Sequence, residues 1–176
     1  TENTVKSLIA QMDSLALSPL DHFLTDRLRV YPLTLGSRFH KNTDTEKPFH
    51  FLTEHFASLP KDYKLLIIDS ITLLVAHGNP VSVIDFFWAC KHLCDRGRSI
   101  LLVAHSYAFE EEMLSRSRSL CDAHLRLRLE QMGDRMVKLM EVLKVRGADR
   151  PTGDVVSFEI EPKVGMRIIP LSKAKV

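Results

Sequence analysis

The sequence predicts an α/β fold: a mostly parallel sheet flanked by helices, followed by a C-terminal antiparallel β meander. Three observations predict it. Lys64 to Asp69 (KLLIID) and Ser99 to Ala104 (SILLVA) are continuous apolar runs, the pattern of parallel strands buried on both faces. Between them lies a stretch of helical spacing, and strand–helix alternation is the signature of a parallel sheet with helices on its faces. After residue 120 the period becomes two, with Ala123, Leu125, Leu127 and Leu129 alternating with His124, Arg126, Arg128 and Glu130, as in a half-exposed strand.

Taken in order, residues 4–17 carry apolar side chains at Val5, Leu8, Ile9, Met12, Leu15 and Ala16, one face of a helix. Asn3 or Thr4 is placed to cap its start, and Ser18-Pro19 to end it. Leu28 to Leu33 (LRVYPL) reads as a short strand and residues 36–47 as a polar loop. Phe49, Leu52, Phe56 and Leu59 then mark a helix with Pro48 near its first turn. Asn79-Pro80 supplies a cap followed by a first-turn proline. Ile84, Phe87, Trp88, Lys91 and Cys94 continue one face of that helix, and Gly97 sits where a C-terminal cap is expected. Residues 108–118 run from acidic to basic, which suits a helix dipole. Gly133-Asp134 turns the first meander strand into a second at 136–144. Strands at 155–160 and 166–169 follow, joined by Pro162–Gly165.

At 176 residues the chain has the size of a single domain. A composition of 45% hydrophobic and 26% charged residues is that of a globular protein with a real core. The net charge of +2 is too small to demand nucleic acid as a partner. Three cysteines, Cys90, Cys94 and Cys121, are too few and too odd in number for a disulfide framework and fit a reducing cytoplasm. No apolar run approaches the ~20 residues of a membrane span, so direct membrane insertion is not expected. The chain opens at Thr1 in a helix-start pattern, and the natural protein is expected to begin earlier.

In open α/β sheets ligands lie beyond the carboxyl ends of the strands. Asp69 and His105 lie at or just after such ends, and Glu2 does so if a strand precedes it. Asp69 closes an apolar run in the manner of a Walker B strand, whose carboxylate orders the magnesium ion of a bound nucleotide, usually through water. The same residue type also serves as a plain loop or helix cap. Glu2, just before a helix, could orient or deprotonate an attacking water, or simply favour the helix dipole. His105, with Ser106, could sense a terminal phosphate, or could be a solvent-facing strand end. Lys144 and Arg146, two apart on a strand, point to the same side and could clamp a phosphate, even a neighbouring subunit's; a solvated strand end is the plainer alternative. Arg126 and Arg128 repeat that spacing and read as the wet face of a strand. Cys90 and Cys94 read as core cysteines, and the eight histidines show no metal-ligand spacing. None of the seven glycines begins or completes G-x-x-x-x-G-K-[ST], the loop whose amides cradle phosphates.

Thr1-Glu2-Asn3-Thr4, LLIIDS at 65–70, LLVAHS at 101–106 and VLKVRGADRPTGDVVSFEIEPKVGMRI at 142–168 together resemble the KaiC-like branch of the RecA superfamily, and within it the ATP-binding family of the archaellum (archaeal flagellum) motor. The resemblance spans nearly the whole chain. Its most specific part is the K-x-R-G stretch and the hairpin around Phe158-Glu159-Ile160. It implies one RecA-like domain over residues 1–176, the C-terminal three-quarters of the family's fold, without the N-terminal strands and the phosphate loop. It implies ATP and Mg2+ as cofactors, Asp69 as the magnesium-ordering acid, Glu2 as the catalytic base, and Ser70, His105, Lys144 and Arg146 at the nucleotide. Relatives tend to carry two adjacent acids where this chain has Glu2 and Asn3, so hydrolysis is expected to be weak or absent. The implied role is a cytoplasmic regulatory switch at the face of a membrane-bound motor. The implied partners are a hexameric motor ATPase, a scaffold ring and further copies of the chain in a hexameric ring. A KaiC- or recombinase-like ATPase acting in signalling or on DNA is the alternative. The chain alone is expected to bind ATP poorly.

Overall fold

The computed structural model describes residues 4–32, 47–60, 62–147 and 153–169. In chain order they form α1 (Val5–Ser14), α2 (Leu20–Leu24), α3 (Lys47–Ser58), β1 (Leu65–Asp69), α4 (Thr72–His77), α5 (Pro80–Asp95), β2 (Ser99–Val103), a 3-10 turn (Ser106–Ala108), α6 (Glu111–Leu120), β3 (Ala123–Met132), β4 (Arg135–Val145), β5 (Val155–Glu161) and β6 (Gly165–Ile169). The chain divides into two compact units, residues 35–122 and residues 1–34 with 123–176.

In the central unit, β1 and β2 pair in parallel with Leu65 opposite Ser99 and Asp69 opposite Val103. α5 connects them, starting where the Asn79 side chain accepts a hydrogen bond from the Ser82 amide at 2.8 Å, with Pro80 in the first turn. Gly97 follows its last turn at a φ of 85°, a left-handed conformation glycine adopts without strain. α3 and α6 both pack on α5. The core gathers Phe49, Leu52 and Phe56 of α3 with Val83, Phe86, Phe87, Cys90 and Leu93 of α5. Phe86 is its centre, with the Phe49 ring 5.3 Å and the Phe56 ring 6.2 Å away, centroid to centroid. Burying side chains of this size contributes about 1.5–3 kcal/mol each.

The other unit holds α1, α2 and an antiparallel sheet in the order β3-β4-β5-β6. Thr4 caps α1, its hydroxyl accepting from the Ser7 amide at 3.1 Å. Gly133, with φ 63°, takes the first place of a two-residue hairpin loop between the paired residues Met132 and Arg135, where a positive φ favours glycine. A bulge near the far end makes Leu143 the extra residue, because His124 pairs with Lys144 but Leu125 with Val142. Val137, Leu139 and Glu141 of β4 are buried on one face.

Three sequence expectations differ from what is observed, and one helix was not foreseen. Residues 28–32 carry no strand: Pro32 has no amide to donate, and no described strand runs beside them. α1 ends at Ser14 rather than at Ser18-Pro19, since Ala16 already turns to a φ of 60°. α4 was not legible because ITLLVA is too short to display a helical period and its apolar composition suits a strand equally well. Among the described residues of this unit, the two parallel strands are covered on one face only. Their residues alternate between half-buried and exposed, with Leu65 55%, Ile67 54%, Leu101 49% and Val103 38% exposed, because α5 lies on the opposite face.

Candidate functional site

A parallel pair of strands delivers two chain ends to the same rim. Asp69 and Val103 are paired across β1 and β2, so Asp69, Ser70 and His105 all emerge at the carboxyl edge of the sheet. The Ile71 amide donates to the Val103 carbonyl at 2.9 Å, which carries the pairing past the end of β1. The Asp69–Ser70 peptide bond is cis. The Asp69 side chain is exposed and makes no hydrogen bond or ion pair with another described residue. Ser70 is half-buried.

His105 is held more firmly. The Thr72 hydroxyl, in the first turn of α4, lies 3.0 Å from His105 Nδ1 and accepts from the His105 backbone amide, also at 3.0 Å. Thr72 is itself 6% exposed. On its other side the imidazole stacks on Tyr107, centroids 5.2 Å apart and planes at 24°. Sequence reasoning missed Thr72. The signal available was a hydroxyl three residues after a strand-ending acid, at the position that opens the next helix.

Of the other expected site residues, Glu2 lies outside the described residues. Lys144 is in β4 opposite His124, and both belong to the second unit. Arg146 falls just past the end of β4, in the turn before Gly147, so strand alternation does not extend to it as the spacing suggested.

Arg126 and Arg128 are more than a wet strand face. Arg126 Nε donates to Glu141 Oε2 at 2.5 Å and Arg128 Nε to Glu141 Oε1 at 2.6 Å. Arg128 also pairs with Glu130. Hydrogen bonds from Arg126 and then Arg128 hold the Glu141 carboxyl below its ordinary range. Cys90 is a core residue, and burial pushes its thiol up to about 12, which makes it inert rather than ligating.

Magnesium fits this rim in one particular way. Among the described residues no cluster of three or more His, Cys, Asp and Glu is arranged to hold a metal. A lone exposed carboxylate such as Asp69 suits Mg2+, which keeps most of its waters and takes one or two carboxylates along with phosphate oxygens. The carboxylate present therefore fits a water-mediated hold on such a metal. The phosphate-wrapping loop is not among residues 1–176. No described helix is long and apolar enough to cross a membrane.

No family model matches the chain. It is 29% identical over 176 residues to the archaeal flagellar ATP-binding protein FlaH of Sulfolobus acidocaldarius, covering 99% of this chain and 75% of that protein. Its fold superimposes on the crystal structure of the flagellar accessory protein FlaH from Methanocaldococcus jannaschii with a TM-score of 0.74 and 23% identity, over 96% of this chain and 73% of that one. A KaiC-like protein of Pyrococcus horikoshii OT3 gives a TM-score of 0.65 at 14% identity, over 96% of this chain and 72% of the other. The parallel strands, flanking helices and C-terminal antiparallel sheet are those of the FlaH and KaiC-like folds, and the chain is similar in sequence to FlaH over nearly its whole length.

Proposed function

We propose that the protein is a nucleotide-binding regulatory component of the archaellum motor. ATP with Mg2+ binds at the carboxyl rim of β1 and β2. Asp69 orders the metal through water, Ser70 and His105 face the terminal phosphate, and Glu2 is the acid beside the attacking water. Lys144 and Arg146 reach the nucleotide of an adjacent subunit in a hexameric ring. Bound ATP favours that ring and its docking on the motor's hexameric ATPase, within a scaffold ring at the cytoplasmic face of the membrane. Residues 1–176 act as one ATP-binding domain in this reading.

One observation carries the nucleotide part. A carboxylate with no partner among the described residues and a firmly held imidazole stand at the ends of two adjacent parallel strands, where such sheets bind their ligands. The motor part rests on the 29% identity to FlaH. The test is calorimetric titration of the full-length protein with ATP in the presence of Mg2+, followed by sedimentation with and without nucleotide. Binding accompanied by a shift to a larger species supports the proposal. Failure of the full-length protein to bind overturns it. ATP-independent, salt-sensitive DNA binding would favour the recombinase-like alternative.

A further inference from the structure

A buried hydroxyl beside an imidazole limits which ring nitrogen carries the proton. Thr72 Oγ1 accepts from the His105 backbone amide, so one of its lone pairs is used. Its own hydrogen needs an acceptor, because Thr72 is buried at 6% exposure and an unpaired buried hydroxyl costs about 1–3 kcal/mol. Among the described residues, His105 Nδ1 at 3.0 Å is the acceptor within reach. Were Nδ1 protonated, the hydroxyl would accept twice and its hydrogen would be stranded. The satisfied arrangement leaves Nδ1 bare and places the proton of the neutral ring on Nε2. Nε2 has no partner among the described residues. The stacked Tyr107 ring, 5.2 Å away, holds the imidazole plane.

We infer that Thr72 is a positioning residue: it locks His105 as the Nε2–H tautomer, so that a neutral histidine presents one fixed donor to a terminal phosphate oxygen. The backbone bond and the side-chain bond from one hydroxyl set both the place of the ring and its proton. Discrimination between ATP and ADP then depends on a residue that need not touch the nucleotide. The phosphate half of this inference rests on the proposed nucleotide site; the tautomer half does not.

Two measurements separate the halves. Nitrogen-15 NMR of the nucleotide-free full-length protein at about pH 9, where ordinary imidazoles are neutral, is expected to show a bare Nδ1 and a protonated Nε2 at His105. Thr72→Val should mix the two tautomers, and Thr72→Ser, which keeps the hydroxyl, should restore the single form. A protonated Nδ1 in the wild type, or a signature unmoved by Thr72→Val, overturns the inference whatever the protein binds. In nucleotide titrations, Thr72→Val should lower the preference for ATP over ADP roughly three- to tenfold, the range expected for a weakened hydrogen bond to a charged group. His105→Ala should lower it at least as much, and the double variant no further. A locked tautomer with an ATP preference unchanged in Thr72→Val overturns the phosphate half. Absence of any nucleotide binding in the wild type refutes the proposed site and leaves the tautomer result standing.

Discussion

Arg128 donates from Nε to the carboxylate of Glu141 at 2.6 Å, and Arg126 donates to the other oxygen of the same carboxylate at 2.5 Å. Glu141 sits in line with the buried Val137 and Leu139 of β4. Two guanidinium groups from the neighbouring strand thus allow a carboxylate to take a place that alternation gives to an apolar residue.

The sign of the pH dependence follows. The folded-state pKa of Glu141 lies below its ordinary 4.5, so its stabilisation is fully present above about pH 4.5 and is lost as pH falls through the lower folded value. Thermal melts of wild type and Glu141→Gln should differ most near neutral pH and converge as pH drops below that of an ordinary carboxyl. A gap that stays constant from neutral pH downwards would contradict the ion-pair role.

Cys90 should resist chemistry. It is buried in α5, and burial first, then the Cys94 and Cys121 sulfurs, pushes its thiol up to about 12. At pH 8 the thiolate fraction is therefore negligible, and the thiolate is the nucleophile. Mass spectrometry after iodoacetamide treatment should find Cys90 unmodified in native protein and modified in denaturant. Labelling of Cys90 at a rate typical of an exposed thiol would show that the α3–α5 core is open.

Gly78 meets α3 at close quarters. A methyl group there would lie 2.6 Å from Phe49 Cε2 and 2.7 Å from the Leu74 carbonyl oxygen. The φ of −79° is ordinary for any residue, so space rather than backbone conformation requires glycine. Gly78→Ala should cost about 1–3 kcal/mol, the usual penalty for overpacking, read as a lower urea midpoint with an unchanged slope. An unchanged midpoint would mean that the α4–α5 turn yields freely.

Much of the fold was legible in the sequence, for identifiable reasons. Asn79-Pro80 named the start of α5, Gly133-Asp134 named the first hairpin, and the Leu125/Leu127/Leu129 alternation named β3. Each rests on a local preference strong enough to act alone. The short α4 was hidden because six residues are too few to display a helical period, and an apolar run of that length suits a strand equally well. The strand expected at 28–33 did not form among the described residues, because strand pairing is a property of a partner and not of a pattern.

The site divides along the same line. Asp69 and His105 could be picked out because each ends an apolar run, and parallel pairing then brings the ends together. Thr72 and Glu141 could not. Thr72 matters through a contact with His105 across 33 residues of sequence, and Glu141 through two arginines on the adjacent strand. Local spacing can mark the Thr72 hydroxyl as a helix start, but it names neither the histidine that Thr72 reaches nor the two arginines that Glu141 meets.

The most direct test of the account is the magnesium dependence of ATP affinity in the full-length protein, wild type against Asp69→Asn. If Asp69 orders the metal at the rim shared with His105, Mg2+ should strengthen ATP binding in the wild type. The substitution should remove about a factor of ten of that gain, ~1.4 kcal/mol, while leaving metal-free affinity unchanged. Equal affinities for the two proteins in the presence of Mg2+ would contradict the assignment of Asp69, and with it the nucleotide site.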